Sequence, residues 1–465
     1  MDKNCLFFSK ILKSDKIHFV GIGGAGMGAL AELMKNLGYN VSGSDIIENS
    51  ITSNLKKLVS SAISENNEEI FAAKKFNIPI VKRAKMLFEL MKSNYNVIVS
   101  GTHGKTTTTA MIYHVFKSAQ LDPTYINGGK LIGDNTRSYL GTSRYWIAEA
   151  DESDASFLYF KPTVAVVTNI EADHLNAYQG KFNNLQSAFI KFLNNISHNG
   201  YVVLCIDNII IQNIIPKINQ KIITYGFNKN SDICIKNYYQ KNFIFTSEIY
   251  IKKIKKNIYL NIKTPGIFNI LNATAAISVA LAEGIHNEII LHSMLEFPGV
   301  YRRFNYVKNY NLEKINKKTG KIALIDDYGH HPTEIKLTIQ MIKKLWCNRR
   351  LVMVFQPHRY TRMQYLYKDF IEVLSTVDIL LMLNIYSAYE KPIAGINSKT
   401  ICKNIRKLKK IRVIFIPNTH CLYKKLKSLL RNQDILLLQG AGDISCIFKK
   451  LINTGNLNYI KHESK

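Results

Sequence analysis

The sequence predicts an α/β protein of three domains. These are a Rossmann-like first domain in trimmed form, a central P-loop-type α/β domain with a β-rich portion, and a last Rossmann-like domain on a doubly wound sheet. Three observations lead there. At 465 residues the chain exceeds what one hydrophobic core organises. Two strand–glycine turn–helix units open successive segments, the first from Ile17 and the second from Val97. In the last third, short apolar strands alternate with helical stretches, as in a parallel sheet. The expected spans are 1–96, 97–298 and 299–465.

Taken in order, the first element is the strand Ile17 to Val20, followed by a glycine turn and a helix near Met27 to Leu37. The second segment adds short apolar strands at Trp146 to Ala148, Val164 to Val167 and Tyr201 to Leu204. Between Asp232 and Lys263 aromatic and β-branched residues recur, which marks the β-rich portion. A helix of small and apolar residues, Asn269 to Glu283, follows. The third segment places strands at Ile322 to Ile325, Leu351 to Phe355, Ile379 to Leu383, Val413 to Ile416 and Ile435 to Leu438. No period of 20–50 residues repeats.

Composition narrows the function classes. No apolar run approaches the roughly 20 residues that a membrane helix needs, and the first residues do not read as an export signal. A cytoplasmic protein without a membrane partner is expected, as a monomer or homodimer. The seven cysteines are scattered, with no pair at metal or redox spacing, and read as reduced packing thiols. A formal net charge of +28 raises the question of nucleic acid. The lysines are spread along the chain beside abundant isoleucine and asparagine, as a genomic composition bias produces, so no nucleic-acid partner is expected. The excess still favours an acidic nucleotide substrate.

Two glycine turns carry the first chemistry. Gly21, Gly23 and Gly26 lie between a strand and a helix, where backbone N–H groups approach a diphosphate. Asp45 stands 19 residues beyond Gly26. Alone, this pattern fits an NAD(P)-dependent oxidoreductase or any ligand linked through a diphosphate. SGTHGKTTTTA, Ser100 to Ala110, is more specific: its Gly-Lys-Thr ending directs Lys105 at β- and γ-phosphates and Thr106 at Mg²⁺. Val99 occupies the position of the usual first glycine. A hydride-transfer enzyme has no work for a lysine on a γ-phosphate.

Acidic residues follow at the end of an apolar strand, in AEADESDASF: Glu149, Asp151, Glu152 and Asp154. A carboxylate at a strand end near the loop lysine suits a hard Mg²⁺ ion. His174 stands on the loop after the next strand, where residues of an open α/β sheet converge.

GTHGKTT, EADESD, TNIEADH, FNILNA (Phe268 to Ala273), RRF (Arg302 to Phe304), DDYGHHPTE (Asp326 to Glu334) and FQPHRYTR (Phe355 to Arg362) appear in the order of the Mur ligases. The resemblance covers about Ile17 to Gly442. It implies a substrate domain for a UDP-sugar, a central ATPase domain, and a C-terminal domain receiving an amino acid. The implied reaction is ATP-dependent ligation of L-alanine to the lactyl carboxylate of UDP-N-acetylmuramic acid, through an acyl phosphate, with ADP and phosphate released.

Carried over position by position, the resemblance implies a catalytic set of Lys105, Glu149, His174, Arg303, Asp327 and His330. The ATP set is Gly101, Thr102, His103, Gly104, Lys105, Thr106, Thr107, Asn269, Asn272, Arg303 and Asp327. Gly23, Gly24, Ala25, Gly26, Met27, Ser44, Asp45 and Ser61 would meet the UDP-sugar. His331, His358, Arg359 and Arg362 would lie at the amino acid, and Thr106, Glu149 and His174 at Mg²⁺.

Two features depart from the family. Asn176 stands where an aspartate is usual, and only 14 residues, Ile46 to Val59, separate GSD from SSAIS. The expectation is a first sheet shortened there, with KKLVSSAIS following the preceding helix almost directly. The other readings are a recycling ligase that adds a preformed tripeptide to the same nucleotide sugar, the NAD(P)-dependent oxidoreductase, and a basic binding protein without catalysis.

Overall fold

The computed structural model describes residues 13–45, 67–134, 136–241, 243–316, 319–388, 390–408 and 411–454. It divides into two compact units, with the boundary between Val300 and Tyr301.

The first unit begins with β1 (Lys16–Gly21) and β2 (Asn40–Ser44), paired in parallel and connected through the helix Ala25–Asn36. Ala29, Leu30, Leu33 and Met34 recur at helical spacing and are buried, which seats that helix. Among the described residues this sheet has two strands. The shortened stretch expected at KKLVSSAIS lies outside the described residues, as does Ser61.

The rest of the unit is built on ten strands. They are β3 (Tyr95–Ser100), β4 (Thr124–Ile126), β5 (Ser138–Tyr139), β6 (Tyr145–Glu149), β7 (Val164–Val167), β8 (Tyr201–Cys205), β9 (Lys221–Gly226), β10 (Ile233–Lys241), β11 (Ile244–Ile251) and β12 (Lys256–Ile262). Their spatial order is β12-β11-β10-β9-β8-β7-β3-β6-β4-β5. β3, β6, β7, β8 and β9 run parallel, while β10, β11 and β12 form an antiparallel meander at one edge. Val97, Ile98 and Val99 are wholly buried, because a central parallel strand is covered on both faces. The helices Lys105–Ser118 and Ile267–Ala282 pack against each other beside it.

At the starting ends of these strands, three phenols meet one carboxylate. Tyr95 and Tyr201 each donate to Glu283 Oε1 at 2.7 Å, and Tyr145 donates to Oε2 at 3.3 Å. Glu283 caps the C-terminus of Ile267–Ala282, so one side chain ties β3, β6 and β8 to that helix.

The second unit is a six-stranded sheet of β13 (Asn305–Asn311), β14 (Lys321–Asp327), β15 (Leu351–Phe355), β16 (Ile379–Met382), β17 (Arg412–Phe415) and β18 (Ile435–Gln439). The order is β13-β14-β18-β15-β16-β17, parallel except for β13 at the edge. β14, β15 and β18 each carry an apolar run of four or five residues, and β18 inserts between the other two, as expected of a doubly wound sheet. Among the described residues, no helix is long and apolar enough to cross a membrane.

Candidate active site

Val99 is a strand residue in register with Glu149 on one side and Val166 on the other, which is why the phosphate-loop pattern lacks its first glycine. The turn that follows is pinned to the end of β7. His103 N donates to Asn169 Oδ1 at 2.8 Å, and Thr102 N to Asn169 O at 3.0 Å. Thr168 Oγ1 and Asn169 Nδ2 both donate to His103 O. Gly104 has φ +84° and precedes the helix Lys105–Ser118; a Cβ there would lie 2.5 Å from Asn272 Oδ1. Only glycine satisfies both conditions. Asn272 accepts from Thr108 Oγ1 at 3.2 Å and donates to Asn269 Oδ1 at 3.2 Å. Asn269 in turn donates to Pro265 O at 2.7 Å. The expected residues Gly101 to Thr107, Asn269 and Asn272 thus form one connected site.

Lys105 folds back over the turn. Its Nζ donates to Gly101 O at 2.7 Å, Thr102 O at 3.2 Å and Glu152 Oε2 at 2.7 Å. Burial works against the ammonium, but the charges of Glu152, Asp151 and Glu149 hold it above the ordinary lysine range. Burial lifts Glu152 to about 7 against the pull of that lysine. One residue on, Thr106 Oγ1 lies 3.1 and 3.0 Å from the two oxygens of Glu149, and Gly128 N donates to Glu149 Oε2 at 3.0 Å. A hydroxyl and a carboxylate facing each other beside a phosphate loop are the hard oxygen donors that Mg²⁺ takes.

His174 has φ +54° and caps the short 3₁₀ turn Leu175–Tyr178, which contains Asn176. Its ring Nε2 lies 3.5 Å from Asp173 Oδ2. Tyr178 of the same turn donates to the backbone carbonyl of Glu152 at 2.5 Å, fastening the His174 loop to the acidic loop.

At the other glycine turn, Gly23 N donates to Asp45 Oδ2 at 2.6 Å, and Ser44 Oγ to Glu69 Oε2 at 2.6 Å. Gly24 precedes the helix that begins at Ala25, whose first turn carries no acidic residue, and Met27 is half-buried. The Arg83 guanidinium covers the turn; a Cβ on Gly26 would lie 2.9 Å from its Nη1. With Gly23 N held by Asp45, the helix N-terminus and the Arg83 guanidinium are what suit an anionic ligand.

In the second unit, the expected residues gather at the C-terminal ends of β14 and β15. His331 caps the helix Pro332–Leu345: its Nδ1 accepts from Thr333 N, and Glu334 Oε2 accepts from the backbones of His330 and His331. The His330 and His358 rings lie 5.7 Å apart, and His358 stacks on Tyr386 at 5.5 Å. Arg362 Nη1 is 3.3 Å from His358 Nδ1. Arg303 lies over the Tyr328 ring at 5.0 Å and 3.8 Å from Glu334. Arg359 is exposed and has φ +69°. Asp327 is buried and accepts four hydrogen bonds, from Phe304 N, Gly329 N, Thr338 Oγ1 and Gln439 Nε2. Burial raises its carboxyl above the ordinary range, with Arg303 opposing.

Sequence reasoning singled out the acidic cluster but did not assign Glu152 to Lys105, and it missed Gly128, Thr168, Asn169, Glu334 and Tyr386. Glu334 had a legible signal, three residues past the helix-capping His331. The others meet the site only through strand order.

Three family models match this architecture: "Mur ligase family, catalytic domain" over residues 16–95, "Mur ligase middle domain" over 99–280, and "Mur ligase, glutamate ligase domain" over 312–442. A curated UDP-N-acetylmuramate–L-alanine ligase of Wigglesworthia glossinidia brevipalpis is 57% identical over 96% of this chain and 98% of its own length. The chain belongs to the Mur ligase family. A second relative of this Mur ligase, from Blochmanniella floridana and bearing the same enzyme name, is 48% identical over 94% of this chain and 95% of its own. Among solved structures, the UDP-N-acetylmuramate-alanine ligase of Thermotoga maritima superposes with a TM-score of 0.79 at 27% identity, covering 94% of this chain and 98% of that one. A murein peptide ligase of Psychrobacter arcticus shares the fold, with a TM-score of 0.71 at 22% identity, over 96% of this chain and 100% of that one.

Proposed function

We propose that this Mur ligase joins L-alanine to the lactyl carboxylate of UDP-N-acetylmuramic acid, with ATP cleaved to ADP and phosphate. The observation that carries the reading is the phosphate loop with Lys105 and Thr106 set directly against Glu152 and Glu149. The two relatives that share most of the chain bear this enzyme's name. Residues 1–96 hold the UDP-sugar, 97–298 the ATP, and 299–465 the amino acid. The reaction takes place in the cytoplasm, where ATP and the nucleotide sugar are made.

A carboxylate is a poor electrophile and must first be activated. Its oxygen attacks the γ-phosphorus of ATP, ADP leaves, and an acyl phosphate forms. The amine of alanine then attacks the acyl carbon, and inorganic phosphate leaves. Catalysis of the first step is positioning and charge neutralisation. The loop amides and Lys105 cradle the phosphates, and Asn269 and Asn272 brace the loop beside the nucleotide. Thr106 and Glu149 would provide the oxygen donors for Mg²⁺, with His174 as a further ligand. Bound there, the ion would neutralise charge on the transferring phosphoryl group. Arg303 adds positive charge, and Asp327 holds the turn that carries His330. For the second step the amine must shed a proton, and His330 takes it. His331, His358, Arg359 and Arg362 frame the amino acid. The glycine turn with Ser44 and Asp45 takes the UDP portion.

The test is Mg²⁺-dependent phosphate release from ATP with UDP-N-acetylmuramic acid present and L-alanine added or withheld. Release that needs both substrates and vanishes in Lys105→Ala supports the proposal. Release that ignores L-alanine but answers to a tripeptide assigns the chain to recycling, and no release with any acceptor overturns the ligase reading.

A further inference from the structure

An ammonium has three N–H donors, and in this structure Lys105 commits all three within the protein: to Gly101 O, Thr102 O and Glu152 Oε2. The lysine that must reach a terminal phosphate is therefore already closed over its own loop. Two of those partners are carbonyls of the turn itself and move with it. The third, Glu152, comes from the loop after β6 and is 1% exposed. Its other oxygen, Oε1, is buried with no hydrogen-bond partner among the described residues. The backbone around it is fixed independently of the lysine, because Tyr178 donates to the Glu152 carbonyl and Ala155 N donates to it as well. A rigidly held carboxylate with one unsatisfied oxygen is a poor structural element, since burying such a group costs free energy unless every lone pair is met. It is well suited to hold a cation that is meant to leave.

We propose that Glu152 is a positioning residue that latches Lys105 across the phosphate loop, so that nucleotide binds by displacing this carboxylate from the ammonium. The terminal phosphate of ATP then competes with Glu152 for the same three-donor head, and part of the phosphate–lysine attraction goes into opening the latch. No bond is made or broken in the exchange; one anionic partner of the ammonium replaces another. The latch keeps the ammonium oriented and the loop closed when no nucleotide is present, and it lowers affinity for nucleotide. The inference rests on the ATP-dependent reading above.

Calorimetric titration of the full chain with ATP tests it, in the presence of Mg²⁺, for the wild type, Glu152→Gln, Glu152→Asp, Lys105→Ala and the Lys105→Ala/Glu152→Gln pair. Removing the competing charge is expected to lower the Kd for ATP by about tenfold, which corresponds to about 1.4 kcal/mol. Glu152→Asp keeps the charge but is one methylene shorter on a fixed backbone, so it loses reach to the ammonium and is expected to tighten ATP binding by less than Glu152→Gln. In the Lys105→Ala background Glu152→Gln is expected to give no tightening, because there is no latch left to open. A purely structural Glu152 predicts weaker binding, or none, on substitution. Unchanged or weakened ATP binding by a Glu152→Gln protein that melts like wild type overturns the proposal. Tightening that persists without Lys105 overturns it too, as a general charge effect. Absence of ATP binding by the wild type would instead strike the functional reading on which the latch rests.

Discussion

Replacing Asp327 by asparagine tests whether this carboxylate is a structural keystone of the second unit. Its Oδ1 accepts from Gly329 N at 2.9 Å, Gln439 Nε2 at 2.7 Å and Thr338 Oγ1 at 3.4 Å, and its Oδ2 accepts from Phe304 N at 3.0 Å. Asparagine has nearly the same shape but a single acceptor oxygen. If that oxygen faces the three donors, the new NH₂ points at Phe304 N–H; if it faces Phe304, the NH₂ meets the other three. The first arrangement is the less costly. It leaves one buried donor opposed to another, at about 1–3 kcal/mol, and removes the charge from the remaining hydrogen bonds. Against this, the neutral amide escapes the burial cost that lifts the native carboxyl. The expected net loss is about 2 kcal/mol. Urea unfolding reads it directly, because the chain has two tryptophans: Trp146 lies in the first unit and Trp346 in the second. In a Trp146→Phe background Trp346 reports the second unit alone. With a slope of about 2 kcal/mol per molar urea, the midpoint should fall by about 1 M. A fall below about 0.3 M would refute the four-donor account and leave Asp327 free for a direct role at the nucleotide.

Gly104→Ala should weaken ATP binding by at least about tenfold, since the left-handed backbone costs roughly 1–2 kcal/mol and the methyl meets Asn272. Adding Asn272→Ala should recover only the steric part, and equal Kd values for wild type and Gly104→Ala would defeat this. Glu283→Ala strands the hydroxyls of Tyr95, Tyr145 and Tyr201 and should cost about 2–3 kcal/mol in thermal unfolding; an unchanged melting temperature would count against the brace. Asp326 is held at about 7 by burial, with Arg302 opposing. Because its folded pKa lies above the unfolded carboxylate value, the folded state holds the proton longer, and stability contributed by this group falls as pH rises from about 4 to 7. Asp326→Asn should flatten that fall and stabilise the protein at pH 8 relative to pH 5; an unaltered pH slope would reject the assignment.

Much of the architecture was legible because strand and loop signals are local. The strand expected at Val164 to Val167 is β7 residue for residue, and the Gly104–Lys105–Thr106 turn opens a helix as its pattern requires. The expected helix Asn269 to Glu283 lies within Ile267–Ala282 except for its capping residue. Partnerships were not legible. Four acids crowd Glu149 to Asp154, and nothing in their spacing says that Glu152, rather than Asp151, meets Lys105. That choice follows from the tight turn leading into Ser156–Tyr159 and from Tyr178, a residue 26 positions away. Likewise the donors on Asp327 come from residues 304, 329, 338 and 439: the β13–β14 pairing delivers Phe304, the helix Pro332–Leu345 delivers Thr338, and β18 beside β14 delivers Gln439.

The strand order of the large sheet separates chemistry from span. β7, β3 and β6 are immediate neighbours, so the phosphate loop, the His174 loop and the acidic loop all leave from one narrow stretch of the sheet rim. The β11–β12 turn at Lys252–Ile254 joins the edge strand to its neighbour, five to six strands from β3, or about 24–29 Å at ordinary strand spacing. That distance makes the meander an insulated handle. A dye, an affinity tag or a surface tether can be placed on its turn while the phosphate loop keeps its native surroundings, so nucleotide binding can be followed on an immobilised or labelled chain.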